Sequence, residues 1–192
     1  MRCFLIAWIA AAASAQVFEA GVQGGVSRLF GKDLGTTSVR STERLSLTDG
    51  WRLGFRITMN SWAHFGHESG YVYTRTKLRL GGDETSEFGM AIHQGLYNFL
   101  AYATPEGKPV RPFAAGGVHF SNFVPPGASV TSGGGSTKVG LNYGGGVKIR
   151  ITPMFAIRFD ARQYWNGKPF DLPNQNGTLR QMELSAGFSF IM

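Results

Sequence analysis

The chain has 192 residues and a formal net charge of +7, with 13% aromatic and only 16% charged side chains. Aromatic richness with so little charge excludes a disordered chain, and 27 glycines argue against a helical bundle, because glycine opposes helix formation. The single cysteine, Cys3, excludes an intramolecular disulfide and a cysteine-based zinc site.

Met1-Arg2 opens the chain with a positive charge. Cys3 to Ala13 follows as an unbroken apolar run, and Ala13-Ser14-Ala15 supplies a small-x-small cleavage pattern. The run is too short to cross a bilayer as a helix, which needs about 20 residues. Residues 1–15 therefore read as a removable export signal and residues 16–192 as one mature domain. No later stretch reaches 18 apolar residues, so no membrane-spanning helix is expected.

From residue 18 onward the pattern has period two, the signature of strands with one apolar and one polar face. Phe18, Ala20, Val22 and Val26 alternate with Glu19, Gly21, Gln23, Gly25 and Ser27. Trp51, Leu53, Phe55, Ile57 and Met59 alternate with Arg52, Gly54, Arg56 and Thr58. Three looser strands follow, at about 70–80, 88–103 and 110–124. Val139, Leu141, Tyr143, Val147, Ile149 and Ile151 alternate with glycines, Asn142, Lys148 and Arg150. Phe155, Ile157, Phe159 and Ala161 alternate with Ala156, Arg158, Asp160 and Arg162. Met182, Leu184, Ala186, Phe188, Phe190 and Met192 alternate with Glu183, Ser185, Gly187, Ser189 and Ile191. The total is eight strands.

The connections alternate in length. Residues 30–50, 81–87, 125–137 and 166–177 make longer polar links. Between them fall short turns at 61–67, 105–109 and 152–154. Long loops at one end and short turns at the other predict an all-β, up-and-down antiparallel barrel that crosses a membrane. In a soluble barrel the apolar face would point inward. Here glycine crowds the polar face, as a narrow lumen requires. The apolar faces run for 9–11 residues, the length a tilted strand needs to cross hydrocarbon. Phe55, Ile57, Phe155, Ile157, Phe159, Leu184, Phe188 and Phe190 are expected to face lipid. Trp51, Tyr71, Tyr73, Tyr143, Trp165 and Phe190 are candidates for interfacial girdles.

This architecture resembles the eight-stranded, porin-like outer-membrane barrels of the OmpA/OmpX type. Val110-Arg111-Pro112-Phe113-Ala114-Ala115-Gly116-Gly117-Val118 is similar to the RPY-x-x-x-G-x-G strand start common in that family. The last strand resembles its C-terminal assembly signal, with Phe188 and Phe190 on the lipid face, although it ends in Ile191-Met192 where Phe or Trp is usual. The resemblance implies a bacterial outer-membrane protein of the Gram-negative cell envelope and a structural or surface-interaction role through its external loops. It implies outer-membrane lipid and the barrel-assembly machinery as partners, with an extracellular ligand at the loops. A monomer is expected, with no cofactor, no metal and no nucleic-acid partner.

Three constellations bear on chemistry. His119-Phe120-Ser121-Asn122 is similar to the His-x-Ser-Asn motif of outer-membrane lipid A deacylases, which makes His119 and Ser121 the catalytic alternative. Those enzymes place an acid shortly after the motif, whereas the first acid here is Asp160, and Val118 and Phe120 fit the lipid side better. His64 and His67 fall in an expected turn, and with only Glu68 to join them they offer too few ligands for a zinc site. Residues 132–138 are glycine-rich but lack the spacing of a phosphate loop. The third constellation is charge on the polar faces: Glu19, Arg52, Arg56, Lys148, Arg150, Arg158, Asp160, Arg162 and Glu183, with Glu68. Packed into a narrow interior, these groups must pair, since unpaired buried charge is strongly unfavourable. They form either a salt-bridge plug or the wall of an anion-selective pore. Asp160 is expected to bridge Lys148, Arg150, Arg158 and Arg162.

Overall fold

The structure is a computed structural model and describes residues 17–81, 85–128, 135–175 and 177–192. The export signal expected over 1–15 lies outside these residues. Eight long antiparallel strands carry the fold: β1 (Val17–Phe30), β4 (Gly50–Trp62), β5 (Phe65–Gly81), β6 (Ser86–Tyr102), β7 (Val110–Val124), β8 (Ser136–Arg150), β9 (Phe155–Gly167) and β10 (Leu179–Ile191). Each pairs with its neighbour in chain order, and β1 pairs with β10, so the sheet closes on itself. Two short strands, β2 (Asp33–Thr36) and β3 (Arg44–Leu47), form a hairpin within the long connection between β1 and β4. There β3 pairs with the top of β5.

The register fixes the dimensions. Ala20 pairs with Ile57, Ile57 with Ser69, Ser69 with Tyr97, and Tyr97 with Val118. The ladder continues through Leu141, Trp165 and Arg180 and returns to β1 at Phe30. One circuit thus climbs β1 from position 20 to position 30, a stagger of about ten residues for eight strands, which sets a strand tilt of about 40°. On β9, Phe155 and Trp165 both face outward. At about 3.3 Å per residue and this tilt, the wall between them is about 25 Å tall, the height of an outer-membrane apolar band.

The faces follow the alternation. Val22, Leu53, Phe120, Leu141 and Phe188 point outward and are more than half exposed, while Glu19, Arg52, Arg56 and Glu183 point inward and are buried. Glycine makes the narrow lumen possible. A Cβ on Gly144 would lie 2.2 Å from the Ala161 carbonyl oxygen and 3.0 Å from the Arg162 side chain. One on Gly146 would lie 2.0 Å from the Phe159 carbonyl and 2.8 Å from the Phe113 ring. Side chains at either position would have to displace backbone.

One local expectation is corrected. The segment 61–67 is not a turn throughout: only Ala63 and His64 separate β4 from β5, and His67 lies in β5. The polar outward residues His67 and Ser69 masked the strand pattern there. The Tyr71 hydroxyl meets His93 Nδ1, and the Tyr143 ring packs edge-on against Trp165 at 5.9 Å. Trp51, Tyr73, His93 and Trp165 mark the upper border of the apolar band.

Candidate functional site

The lumen is filled in layers. At the turn end, the Lys148 ammonium donates to Glu19 (2.7 Å) and to the Tyr102 hydroxyl (2.7 Å), and the Asn60 amide donates to Glu19 (2.7 Å). Arg111 stacks on the Tyr102 ring (3.7 Å) and pairs with Glu106, which also holds Arg150 (2.8 Å).

The middle layer is a continuous ion network. Asp160 accepts from Arg56 (2.9 Å), Arg158 (2.7 Å) and Arg162 (3.0 Å). Glu68 forms ion pairs with Arg158 (2.5 Å) and Arg162 (2.8 Å). Glu183 accepts from Arg56 (2.9 Å) and from the Tyr164 hydroxyl (2.7 Å), and forms an ion pair with Arg52 (3.1 Å). Four guanidiniums and three carboxylates from four strands, β4, β5, β9 and β10, thus cross-link the barrel wall. Bidentate forks suit this packing, because one guanidinium can satisfy two acids at fixed geometry. The cavity beside Gln23, Arg56 and Arg158 holds about 10 Å³, room for one water.

The expected bridge from Asp160 to Lys148 and Arg150 is not made. In the register Asp160 faces Gly146, Lys148 faces Arg158, and Arg150 faces Ala156 at the lower rim. Lys148 therefore turns to Glu19, and Arg150 to Glu106, while Asp160 is served from its own strand and from Arg56 across the lumen.

Above the ions, the Gln94 amide donates to Ser121 Oγ (2.9 Å), and Ser121 Oγ donates to Asn166 Oδ1 (2.7 Å). His119 Nε2 also donates to Asn166 Oδ1 (3.0 Å), leaving Nδ1 without a partner. His119 and Ser121 are both buried in the lumen, and Val118 and Phe120 take the lipid side. Both side chains give their protons to Asn166, so no imidazole lone pair is aimed at the serine hydroxyl, as a hydrolytic pair requires. His67 and Glu68 lie on opposite faces of β5: His67 Nδ1 meets the Tyr97 hydroxyl outside (2.9 Å), and Glu68 is in the lumen network. They cannot share a metal. Among the described residues no group of three or more metal-ligating side chains comes together.

The loop end closes with an apolar cap. Leu29, Leu34, Leu47, Met90, Ile92, Phe123 and Leu179 pack together, joined by Phe170 and Leu172. Leu34 comes from β2, and Phe170 and Leu172 from the β9–β10 connection. Thr36 N donates to the Pro173 carbonyl (2.9 Å), which ties those two pieces across the mouth. Asp49, at the foot of the hairpin, accepts from Leu29 N (2.8 Å) and from Lys32 (2.8 Å). Its slight burial alone would raise its pKa, but these two donors outweigh that and hold the carboxyl below its ordinary value.

The sequence reading missed Arg111, Tyr102, Tyr164, Gln94 and the cap. The cap had a signal: Leu29, Met90, Ile92, Phe123 and Leu179 are apolar residues on strand ends at lumen-face positions.

A closed eight-stranded barrel with an apolar band outside and ion pairs inside defines the outer-membrane class. The chain belongs to the outer membrane protein beta-barrel domain family, matched over residues 3–191. No curated protein matches it. Among solved structures it is similar to neisserial surface protein A from Neisseria (14% identity, 90% of this chain and 96% of that one, TM-score 0.65). It is also similar to OprG from Pseudomonas aeruginosa (10% identity, 92% and 95%, TM-score 0.60). A third likeness is to Ail, the attachment invasion locus protein of Yersinia pestis, in complex with the heparin analogue sucrose octasulfate (13% identity, 92% and 99%, TM-score 0.53). At these identities the likeness shows the shared fold.

Proposed function

We propose that the protein is a non-conducting barrel of the bacterial outer membrane that acts through its loop end. It is exported by the 1–15 signal and placed by the barrel-assembly machinery as a monomer surrounded by lipid. The observation that carries this reading is the doubly closed lumen: an arginine–carboxylate layer below and an apolar cap above. An aqueous path would have to part both. The loop end is the elaborate one, with a hairpin whose Val39 and Arg40 stand exposed. Ail, a barrel of this fold, was solved with a sulfated sugar, which supports a ligand-binding role for such surfaces. Catalysis has no place in this reading, since His119 and Ser121 face the lumen.

In planar bilayers the protein is expected to show no stable current steps. A steady anion-selective channel would overturn the proposal in favour of a pore. Orientation is tested separately. A Val39→Cys variant should react with a membrane-impermeant maleimide on intact cells. An Ala63→Cys variant, in the turn between β4 and β5, should react only after the outer membrane is permeabilised. The reverse pattern would invert the barrel.

A further inference from the structure

The outward strand positions carry charge at one end only. No outward position below Trp51 and Trp165 on the eight long strands holds Lys, Arg, Asp or Glu. At and above that level stand Arg28 on β1, Arg75, Lys77 and Arg79 on β5, Arg180 on β10, and a single acid, Glu87 on β6. Lys77 and Arg79 are occupied by Glu87 (2.9 and 2.6 Å). Arg28, Arg75 and Arg180 are exposed, and no carboxylate among the described residues lies within ion-pair distance of them.

Their placement is specific. Arg75 is the register partner of Trp51, and Arg180 of Trp165. Arg28 is two residues above Val26, which also pairs with Trp51. Strands β10, β1, β4 and β5 are consecutive in the wall, so the three cations share one sector. Tryptophans of this kind settle at the boundary between hydrocarbon and headgroups. The three guanidiniums therefore sit at headgroup depth, not in bulk water. Arg75 adds a second sign. Its Nη2 lies 2.2 Å from where a Cβ on Gly89 would stand, and Gly89 pairs with Lys77, one step nearer the loop end. The side chain thus lies flat on the outer wall with its head drawn toward the loops, as long cationic side chains do at a membrane surface. A side chain at 89 would block this path.

We propose that Arg28, Arg75 and Arg180 form a docking sector for the phosphate groups of the phosphorylated glycolipid that makes the outer leaflet. Guanidinium forks match phosphate oxygens, and the flanking Trp51, Trp165, Tyr73 and Val26 match the acyl and sugar border. The proposal rests on the loop end facing outward, which the cysteine labelling tests by itself.

The test uses the refolded protein in neutral detergent micelles containing bis-phosphorylated lipid A or, separately, phosphatidylethanolamine, with retained lipid read by native mass spectrometry. The parent should keep lipid A and shed phosphatidylethanolamine, and inorganic phosphate should not displace the lipid. Each of Arg28→Gln, Arg75→Gln and Arg180→Gln should weaken retention about fivefold, the contribution of one cation near an anionic surface. Added salt should weaken the parent more than the triple variant. Arg40→Gln with Arg44→Gln, on the loop hairpin, should change nothing. Gel mobility with and without boiling confirms that each variant is folded, and the single variants carry the test if the triple one does not fold. Retention unchanged in the single variants overturns the proposal. So does equal retention of phosphatidylethanolamine, displacement by inorganic phosphate, or an equal loss in the loop-hairpin variant.

Discussion

Asp160→Ala should destabilise the folded barrel by about 3–5 kcal/mol, the cost of removing one partner from a buried ion network. The carboxylate accepts from Arg56, Arg158 and Arg162, all buried. Arg158 and Arg162 retain Glu68, and Arg56 retains Glu183 and Glu68, so the cost comes from the lost hydrogen bonds and from one negative charge missing among buried guanidiniums. A neutral isostere separates charge from shape: Asp160→Asn keeps an oxygen acceptor but leaves the three guanidiniums short of one negative charge. It should recover part of the loss. Removing a cation together with the acid, as in Asp160→Ala with Arg158→Met, should cost less than the two single changes added together, because the pair then leaves jointly. Denaturant titration in lipid vesicles reads the parent and all four variants. Additive losses would mean that these charges are solvated individually and the network is not a unit. The same variants speak to conduction. The apolar cap lies above Asp160 and is untouched by the substitution, so Asp160→Ala should remain without a steady current.

Much of the fold was legible because membrane strands obey a simple rule. Lipid outside and a narrow polar lumen inside force every second residue to one chemistry, so Trp51 to Met59 and Phe155 to Ala161 announce both strand and face. The rule weakens where its cause weakens. Around His67 and Ser69 the outer wall carries polar side chains, His67 meeting the Tyr97 hydroxyl, and the alternation dissolved into an apparent turn. Above the membrane, β2 and β3 have no lipid to face, and their short run reads as loop. Lumen membership could be read from parity, because a charged side chain on the lipid face would be unfavourable. Pairing could not, because it depends on which strand lies across the barrel. Arg56 and Asp160 are 104 residues apart and meet through the closure of the wall. The apolar cap was hidden for a related reason: Leu34, Phe170 and Leu172 belong to connections, and only the closed mouth brings them together over Leu29 and Phe123.

Phe159→Arg should destabilise the barrel by about 2–4 kcal/mol in lipid vesicles, whereas Phe159→Leu should be nearly silent. Phe159 points outward from β9, 48% exposed, with Val147 and Ala186 as its register partners. Phe155 stands four residues below it and Trp165 six above, which puts Phe159 near the middle of the apolar band. An arginine there must either hold its charge in hydrocarbon or stretch several residues to reach a headgroup. The neighbouring Arg158 avoids this by facing the lumen, where Asp160 and Glu68 meet it. The same substitution placed at Phe30, above the tryptophan level, should cost about 0–1 kcal/mol, since its charge would lie beside Arg180 at headgroup depth. Depth, and not the residue type, is then the cause. Equal costs at 159 and 30, measured by denaturant titration in the same vesicles, would mean that the band does not sit in hydrocarbon where the strand faces place it. A stabilising Phe159→Arg would mean that the two faces are exchanged.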